Sequence, residues 1–331
     1  MNSKRSIAGR AVNPVGLGCM SLSWAYGVPP AEDDALRLLG RALDLGYDHL
    51  DTANIYGLGH NENLLGKALK GRREEFFLAT KMGIVVQGAG RGIDCSPEAI
   101  RREIDASLQR LGTDRVDLYY MHRLDRKVPI AESMGAMAEL VAAGKIGGVG
   151  VSEWSAAHIR EAHAVHPLAA VQTEYSPWSR NPEIAVLETC RELGIAFVAF
   201  SPVARGVLAG GVRDVDALAE MDLRRTMPRF SPENWPRNLA LVDTFNAIAA
   251  REGVTPAQVS LAWVLSRGEH VVAIPGTANP AHLAENIARA GWELPAAVAA
   301  ELDALINRRT VAGPRYAPGI QAAIDTEEFP A

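Results

Sequence analysis

Eight short apolar runs, set apart by helix-patterned or polar chain, limit what this sequence can fold into. They lie at Val15–Met20, Asp48–Ala53, Phe76–Lys81, Val116–His122, Ile146–Ser152, Ala169–Tyr175, Ile195–Ser201 and Val271–Thr277. Apolar runs this continuous, rich in Val, Ile, Phe and Tyr, read as strands buried on both faces, the mark of a parallel sheet. The segments between them carry apolar residues at i, i+3, i+4 spacing. Asp33–Leu45 shows the spacing through Leu36, Leu39 and Leu43. Pro97–Leu111 opens with Ser96 as N-cap and Pro97 at the first helical position, aligns Ile100, Ile104 and Leu108, and stops at Gly112. Ile130–Ala143 and Glu183–Leu193 stop at Gly144 and Gly194. With Gly46, these glycines fall a few residues before the next strand, as a short αβ loop requires.

Eight βα units in one chain of 331 residues fit a (β/α)8 TIM barrel of the α/β class. A doubly wound sheet is the rival, but it has fewer strands and one switch point. We read residues 1–331 as a single barrel domain with an N-terminal hairpin and extra C-terminal helices. The hairpin covers Arg5–Pro14 and turns at Ala8-Gly9. Gly206–Trp235 is a long excursion with little periodicity, followed by helices over Asn238–Arg251 and Pro256–Ser266. Pro295–Ile306 reads as an added helix before a Pro/Gly-rich tail. Excursions of this length tend to cover a site.

Composition narrows the function. The net charge is −5 and no long basic run appears, which argues against a nucleic-acid partner. Hydrophobic residues make up 48% and charged residues 22%, which excludes global disorder. Cys19, Cys95 and Cys190 stand far apart with no CxxC pair, so no zinc site and no disulfide framework is expected. The opening MNSKRSIAGRAVNP lacks a signal-peptide core, and no apolar stretch reaches membrane-spanning length. The expectation is a cytoplasmic protein with no membrane partner, acting on a small molecule. His158, His163 and His166 share a helical stretch without a carboxylate-rich site, so no metal is expected.

In such a barrel the chemistry sits at the C-terminal ends of the strands. Those ends read Asp51, Lys81, His122, Ser152 with Glu153, Gln172 with Tyr175, Ser201 and Thr277. Polar residues closing one apolar strand after another exceed what a solvated rim needs. Tyr56 follows Asp51 closely, and Gly57-Leu58-Gly59 allows a sharp turn that projects its phenol over the mouth. A free phenol has a pKa of about 10. A neighbouring Lys81 ammonium would pull it down by roughly 1–3 pH units. Asp51 would hold Lys81 by a charge-assisted bond, and His122 could hydrogen-bond at the same oxygen. A tyrosine so placed is a general acid for a developing alkoxide.

These residues and their spacing resemble the aldo-keto reductase family, in its branch of bacterial pyridoxal reductases and YakC-like proteins. The resemblance runs from Gly16-Leu-Gly18-Cys-Met20 to Glu285-Asn286. It rests on Asp51-Thr-Ala-x-x-Tyr56-Gly57, Asn61-Glu62, Ala79-Thr-Lys81, Asp117-Leu-Tyr-x-x-His122, Gly150-Val-Ser152, Gln172-x-Glu174-Tyr175-Ser176, Phe200-Ser-Pro202 and Ile274-Pro-Gly-Thr277. It implies NADPH-dependent reduction of an aldehyde or ketone, reversible, with Tyr56, Lys81, Asp51 and His122 as the catalytic tetrad. It further implies that Ser152 and Gln172 meet the nicotinamide carboxamide, with Glu153 where the family often has Asn. Phe200, where the family usually has Tyr, would stack on the ring. Ser201, Pro202, Val203 and Gly206 would lie against the pyrophosphate. Gly276, Thr277, Asn279, His282, Glu285 and Asn286 would follow the adenosine half.

One departure bears on the cofactor. The family usually places Lys or Arg after Ile-Pro-Gly-Thr for the adenosine 2′-phosphate. This chain reads Ala278-Asn279-Pro280-Ala281-His282, with no permanent cation. NADP(H) is therefore expected from the resemblance, with NAD(H) as a second cofactor. Trp24, Trp178 and, from the excursion, Trp235 are candidate walls of an apolar substrate pocket. Gly57-Leu-Gly59 lacks the third glycine of a dinucleotide fingerprint, and Gly88–Gly92 reads as a loop. Two other classes remain: a cofactor-binding regulatory subunit of the same fold, and a barrel hydrolase or lyase. The latter needs paired carboxylates or metal ligands at strand ends, where only Asp51 and Glu153 stand.

Overall fold

The computed structural model describes residues 4–87 and 90–330. All eight expected strands form, as β3 (Leu17–Gly18), β4 (His49–Asp51), β5 (Phe77–Met82), β8 (Leu118–Met121), β9 (Val149–Ser152), β10 (Leu168–Glu174), β11 (Ala196–Phe200) and β12 (Val271–Ile274). They pair in that order, every neighbour parallel. Parallel bridges Val15–Ala273 and Gly18–Gly276 join the last strand to the first and close the barrel. The expected N-terminal hairpin is β1 (Arg5–Ile7) with β2 (Arg10–Val12). Its turn has positive φ at both Ala8 (51°) and Gly9 (75°), the primed geometry that matches strand twist.

The expected helices appear as α1 (Glu32–Asp44), α3 (Pro97–Leu111), α4 (Ile130–Ala142), α6 (Val186–Leu193), α7 (Trp235–Arg251), α8 (Pro256–Leu265) and α10 (Ala296–Leu305). Between them lie α2 (His60–Ala68), α5 (Ala156–Val165) and α9 (Pro280–Ala288). Ser96 caps α3 by accepting from Ala99 N, as its sequence predicts. Gly46, Gly112, Gly144 and Gly194 all take positive φ. Between Gly206 and Trp235 only short 3-10 turns form. Among the described residues, no helix is long and apolar enough to cross a membrane.

Strand periodicity decides what fills the barrel. On β5 the residues Phe77, Ala79 and Lys81 share one face; on β8 they are Leu118 and Tyr120, with His122 next in phase. The lower members join Ala170, Val198 and Val272 in an interior cluster, plugged from below by Ile7 and Val12 of the hairpin. Side chains of that size contribute about 1.5–3 kcal/mol each when buried. Leu78, Tyr119, Met121, Val171 and Phe197 point the other way, into the larger core under the helices. Gly150 makes room for the interior: a Cβ there would lie 2.4 Å from a ring carbon of Tyr120. The same alternation that seats the apolar layers brings Lys81, His122 and Gln172 to the top.

Two elements lie outside the sequence expectation, the four-residue helix α11 (Pro318–Gln321) in the tail and a hairpin. β6 (Ile84–Gln87) and β7 (Gly90–Ile93) form an antiparallel hairpin directly after β5. It overlaps the expected loop at Gly88–Gly92, of which Gly88 and Ala89 lie outside the described residues.

Candidate active site

Asp51 closes β4, and the chain then turns through Gly57 (φ 59°), Leu58 (54°) and Gly59 (90°) before α2. A non-glycine residue at positive φ is uncommon, so this turn is held by its surroundings. It returns Tyr56 to the barrel mouth, where the residue is 9% exposed. Lys81, fully buried, ends the inward face of β5. Its Nζ is bonded to Asp51 Oδ1, donates to Thr52 O at 2.8 Å, and lies 3.5 Å from Tyr56 Oη. Gln172 Nε2, from β10, donates to the other Asp51 oxygen at 2.8 Å. His122 meets Tyr56 edge to face, with ring centroids 6.0 Å apart. Its buried Nδ1 has no partner among the described residues. Tyr56, Lys81, Asp51 and His122, drawn from three strands and a loop, thus converge at one point.

The electrostatics differ from the sequence expectation in one respect. Burial dominates at Tyr56 and raises its pKa, against the opposing pull of the Lys81 ammonium. The phenol is therefore protonated at neutral pH, not drawn toward phenolate. Burial also works against the Lys81 charge, but Asp51 and Tyr56 outweigh it and the ammonium is held. At His122, burial and the positive charges of Arg123, Lys81 and Arg91 push the pKa well below its ordinary value. The imidazole is neutral.

The residues expected along a nucleotide lie on neighbouring strand ends. Ser152 and Gln172 are in register on β9 and β10, and Phe200 ends β11 half-buried. Beyond it Ser201, Ala204, Arg205 and Gly206 take positive φ (51°, 50°, 58° and 89°), a run of left-handed backbone of the kind that builds anion-binding concavities. Ala204 and Gly206 use their N–H groups on Ser201 O and Val203 O inside that turn, and Pro202 O accepts from Ser260 Oγ at 2.6 Å. Gly276 bridges to Gly18 at the barrel seam. Thr277 Oγ1 accepts from Asn279 N at 3.0 Å, and the Asn279 side chain caps α9. His282 is exposed, Glu285 half-buried and Asn286 buried.

Two strand-end residues, Tyr175 and Glu153, do not face free into the site. Tyr175 is one residue out of phase with Gln172 and faces outward, packing on Phe197 and Trp263 with its hydroxyl on Glu183. Glu153 (φ 59°) does not point free into the site. Its carboxylate takes both forks of Arg315 (3.2 and 2.9 Å), Thr326 Oγ1 (2.8 Å) and Glu174 N (3.0 Å). The C-terminal tail is thereby fastened across the ends of β9 and β10. Glu174 takes part too, accepting from Arg205 Nη2 (2.8 Å), Tyr316 Oη (2.6 Å) and Ser179 Oγ (3.0 Å). Trp24 lies beneath the Arg91 guanidinium, 4.6 Å from ring centroid to Cζ. Trp178 is buried, its carbonyl accepting from Arg229. Trp235 stacks on Phe230 and donates to Arg213 O, which anchors the excursion. Among the described residues, no group of His, Cys, Asp and Glu is arranged to hold a metal.

The Aldo/keto reductase family profile matches residues 14–307. An aldo-keto reductase of Strobilurus tenacellus, str7, is 41% identical, covering 98% of both chains. The aldo-keto reductase yakc [NADP(+)] of Schizosaccharomyces pombe is also 41% identical, with 98% coverage of both. Among solved structures, the glycerol dehydrogenase AKR11B4 of Gluconobacter oxydans superposes with a TM-score of 0.85. It is 29% identical and covers 95% of this chain and 97% of its own. An aldo-keto reductase from Klebsiella pneumoniae, solved with NADPH, gives a TM-score of 0.73 at 27% identity, covering 96% and 99%. The barrel, the converging tetrad and these matches agree: the chain belongs to the aldo/keto reductase family.

Proposed function

We propose that this protein reduces an aldehyde or ketone to the alcohol with NADPH, reversibly, through Tyr56, Lys81, Asp51 and His122. The observation that carries the reading is a buried, protonated phenol beside an ammonium and a neutral imidazole with an unused nitrogen. The cofactor fits the strand ends: Ser152 and Gln172 offer side chains for the carboxamide, Phe200 a ring face, and the Ser201–Gly206 turn a concave backbone. NADPH, when bound, would supply the hydride.

The rest belongs to the chain. Tyr56 holds the proton that the developing alkoxide takes, and a general acid so placed contributes roughly 10²–10⁴-fold. Lys81, 3.5 Å away and kept charged by Asp51, stabilises the phenolate left behind. Gln172 fixes Asp51 from the opposite side. His122, uncharged, orients the carbonyl oxygen by a hydrogen bond without competing as a proton donor. A regulatory subunit with little turnover is the weaker reading, because all four groups are in place.

Loss of absorbance at 340 nm with a panel of aromatic and aliphatic aldehydes tests this directly. Turnover dependent on aldehyde and NADPH is the expected result. Tight NADPH binding with no turnover on any of them would transfer the chain to the regulatory reading.

A further inference from the structure

Resting on that reading, the geometry points to the class of carbonyl this site prefers: we propose a substrate with an anionic group, held by Arg123 and Arg91. Three buried or half-buried arginines near the barrel are each neutralised by a carboxylate: Arg110 by Glu62, Arg205 by Glu174 and Arg315 by Glu153. Arg123 is not. It follows His122 directly, is half-buried, and donates only to His122 O (2.5 Å) and Ser152 Oγ (3.3 Å). Asp125, the nearest carboxylate along the chain, instead accepts from the N–H groups of Cys95 and Lys127. A guanidinium has five N–H donors, so most of this fork is left over beside two residues of the site.

Arg91 approaches from the other side. It projects from β7, the hairpin the sequence did not reveal, and reaches across to the Trp24 ring of the first βα loop. Among the described residues it has no carboxylate partner. Both guanidiniums act on the His122 ring from their separate elements. The chain as a whole carries a charge of −5, yet its mouth gathers Lys81, Arg91 and Arg123. The Asp51 charge there is already matched by Lys81. A carbonyl substrate whose far end bears a carboxylate or phosphate supplies the missing partner, and Trp24 offers a flat wall for the carbon skeleton between. The reaction itself is unchanged: the anion positions the carbonyl at Tyr56 and takes no part in proton or hydride transfer.

The test compares kcat/KM for matched charged and neutral substrates. One arm pairs 4-carboxybenzaldehyde with methyl 4-formylbenzoate; the other pairs glyceraldehyde 3-phosphate with glyceraldehyde, which separates carboxylate from phosphate. Wild type is expected to favour the anion by about tenfold in at least one arm, since charge-assisted bonds are strong but a half-exposed site is screened. Arg123→Gln and Arg91→Gln should each reduce that ratio severalfold, and 0.5 M NaCl should lower it as well. Using a ratio removes any loss from poor folding, which affects both substrates alike. Turnover of the neutral substrates with no anionic preference in either arm, or a ratio that both variants leave intact, overturns the inference while the reductase reading stands. Turnover of none of the four overturns both.

Discussion

Two buried ion-pair clusters sit side by side on the C-terminal face of the barrel, and they are built from the same parts. Each holds a carboxylate, a cation and a tyrosine. In the tail cluster all four carboxylate oxygens of Glu153 and Glu174 are engaged, by Arg315, Arg205, Tyr316, Thr326, Ser179 and the N–H of Glu174. In the other, Asp51 is equally occupied, but Tyr56 has only a 3.5 Å approach from Lys81 and His122 Nδ1 has nothing. Buried charge alone does not mark a reactive site, because both clusters have it. What differs is which groups are left unused. The first cluster saturates its carboxylates and holds the tail, leaving, among the described residues, only the Nε atoms of Arg205 and Arg315 unpaired; the second leaves the Tyr56 hydroxyl and the His122 imidazole, groups that can pass or share a proton, without a close partner.

If that division is right, the two clusters respond differently to damage. The largest expected effect is on folding. Arg315→Ala leaves Glu153 charged and buried without its partner, a defect that costs about 3–5 kcal/mol. A large fall in Tm should follow, and Glu153→Gln added to it should recover part of the loss. An unchanged Tm would mean that the tail is not fastened there. Glu174 adds a pH signature. Burial pushes its carboxyl up, but Arg205, Arg315 and the Tyr316 hydroxyl outweigh burial and bring the pKa down to about 2. Its stabilising contribution is complete above the unfolded value near 4.5 and disappears as pH falls from there toward about 2. Between those pH values the Tm of wild type should fall more steeply than that of Glu174→Gln; parallel curves would refute the assignment.

A smaller effect is expected at the interior layer that carries the tetrad. In Gly150→Ala the new methyl meets the Tyr120 ring, and Tyr120 lies under Lys81, with Nζ 5.8 Å from its centroid. Overpacking of this kind costs about 1–3 kcal/mol. The variant should lose kcat as well as Tm, whereas Arg315→Ala should lose mainly Tm. Equal kcat losses in the two would erase the distinction between the clusters. The smallest effect concerns the cofactor. With no Lys or Arg in Ala278–His282, KM for NADPH and NADH should differ by less than about a hundredfold, since charge-assisted bonds are worth roughly 1.5–3 kcal/mol each. A larger preference for NADPH would show that a cation from elsewhere reaches the 2′-phosphate.

What could be read beforehand follows from range. The eight strands, the caps of α3 and the hairpin turn are written in local composition, and they stand where the sequence puts them. The tetrad was legible because each member closes an apolar strand or follows one within a few residues. Tyr175 stands at a strand end yet outside the site because a strand end reveals a residue but not its phase, and an odd offset of three residues puts Gln172 inside and Tyr175 outside. That Glu153 ties down the tail is not legible because its partners Arg315 and Thr326 lie more than a hundred residues away, where no local pattern points. The β6–β7 hairpin is hard to read because Ile84-Val85-Val86 directly continues the apolar run of β5 while the Gly-rich Gly90–Ile93 resembles a loop, and with it goes the position of Arg91. The pull of Lys81 on Tyr56 was foreseen, but the depth of burial that overrides it is a property of the assembled barrel.

The central claim is that Tyr56 gives the proton. Tyr56→Phe removes one oxygen from a ring that keeps its packing, so NADPH binding, followed by fluorescence, and Tm should stay near wild type. The kcat for reduction of 4-nitrobenzaldehyde should fall by at least about a hundredfold. A variant that binds NADPH normally and turns over at the wild-type rate would remove the phenol from its role.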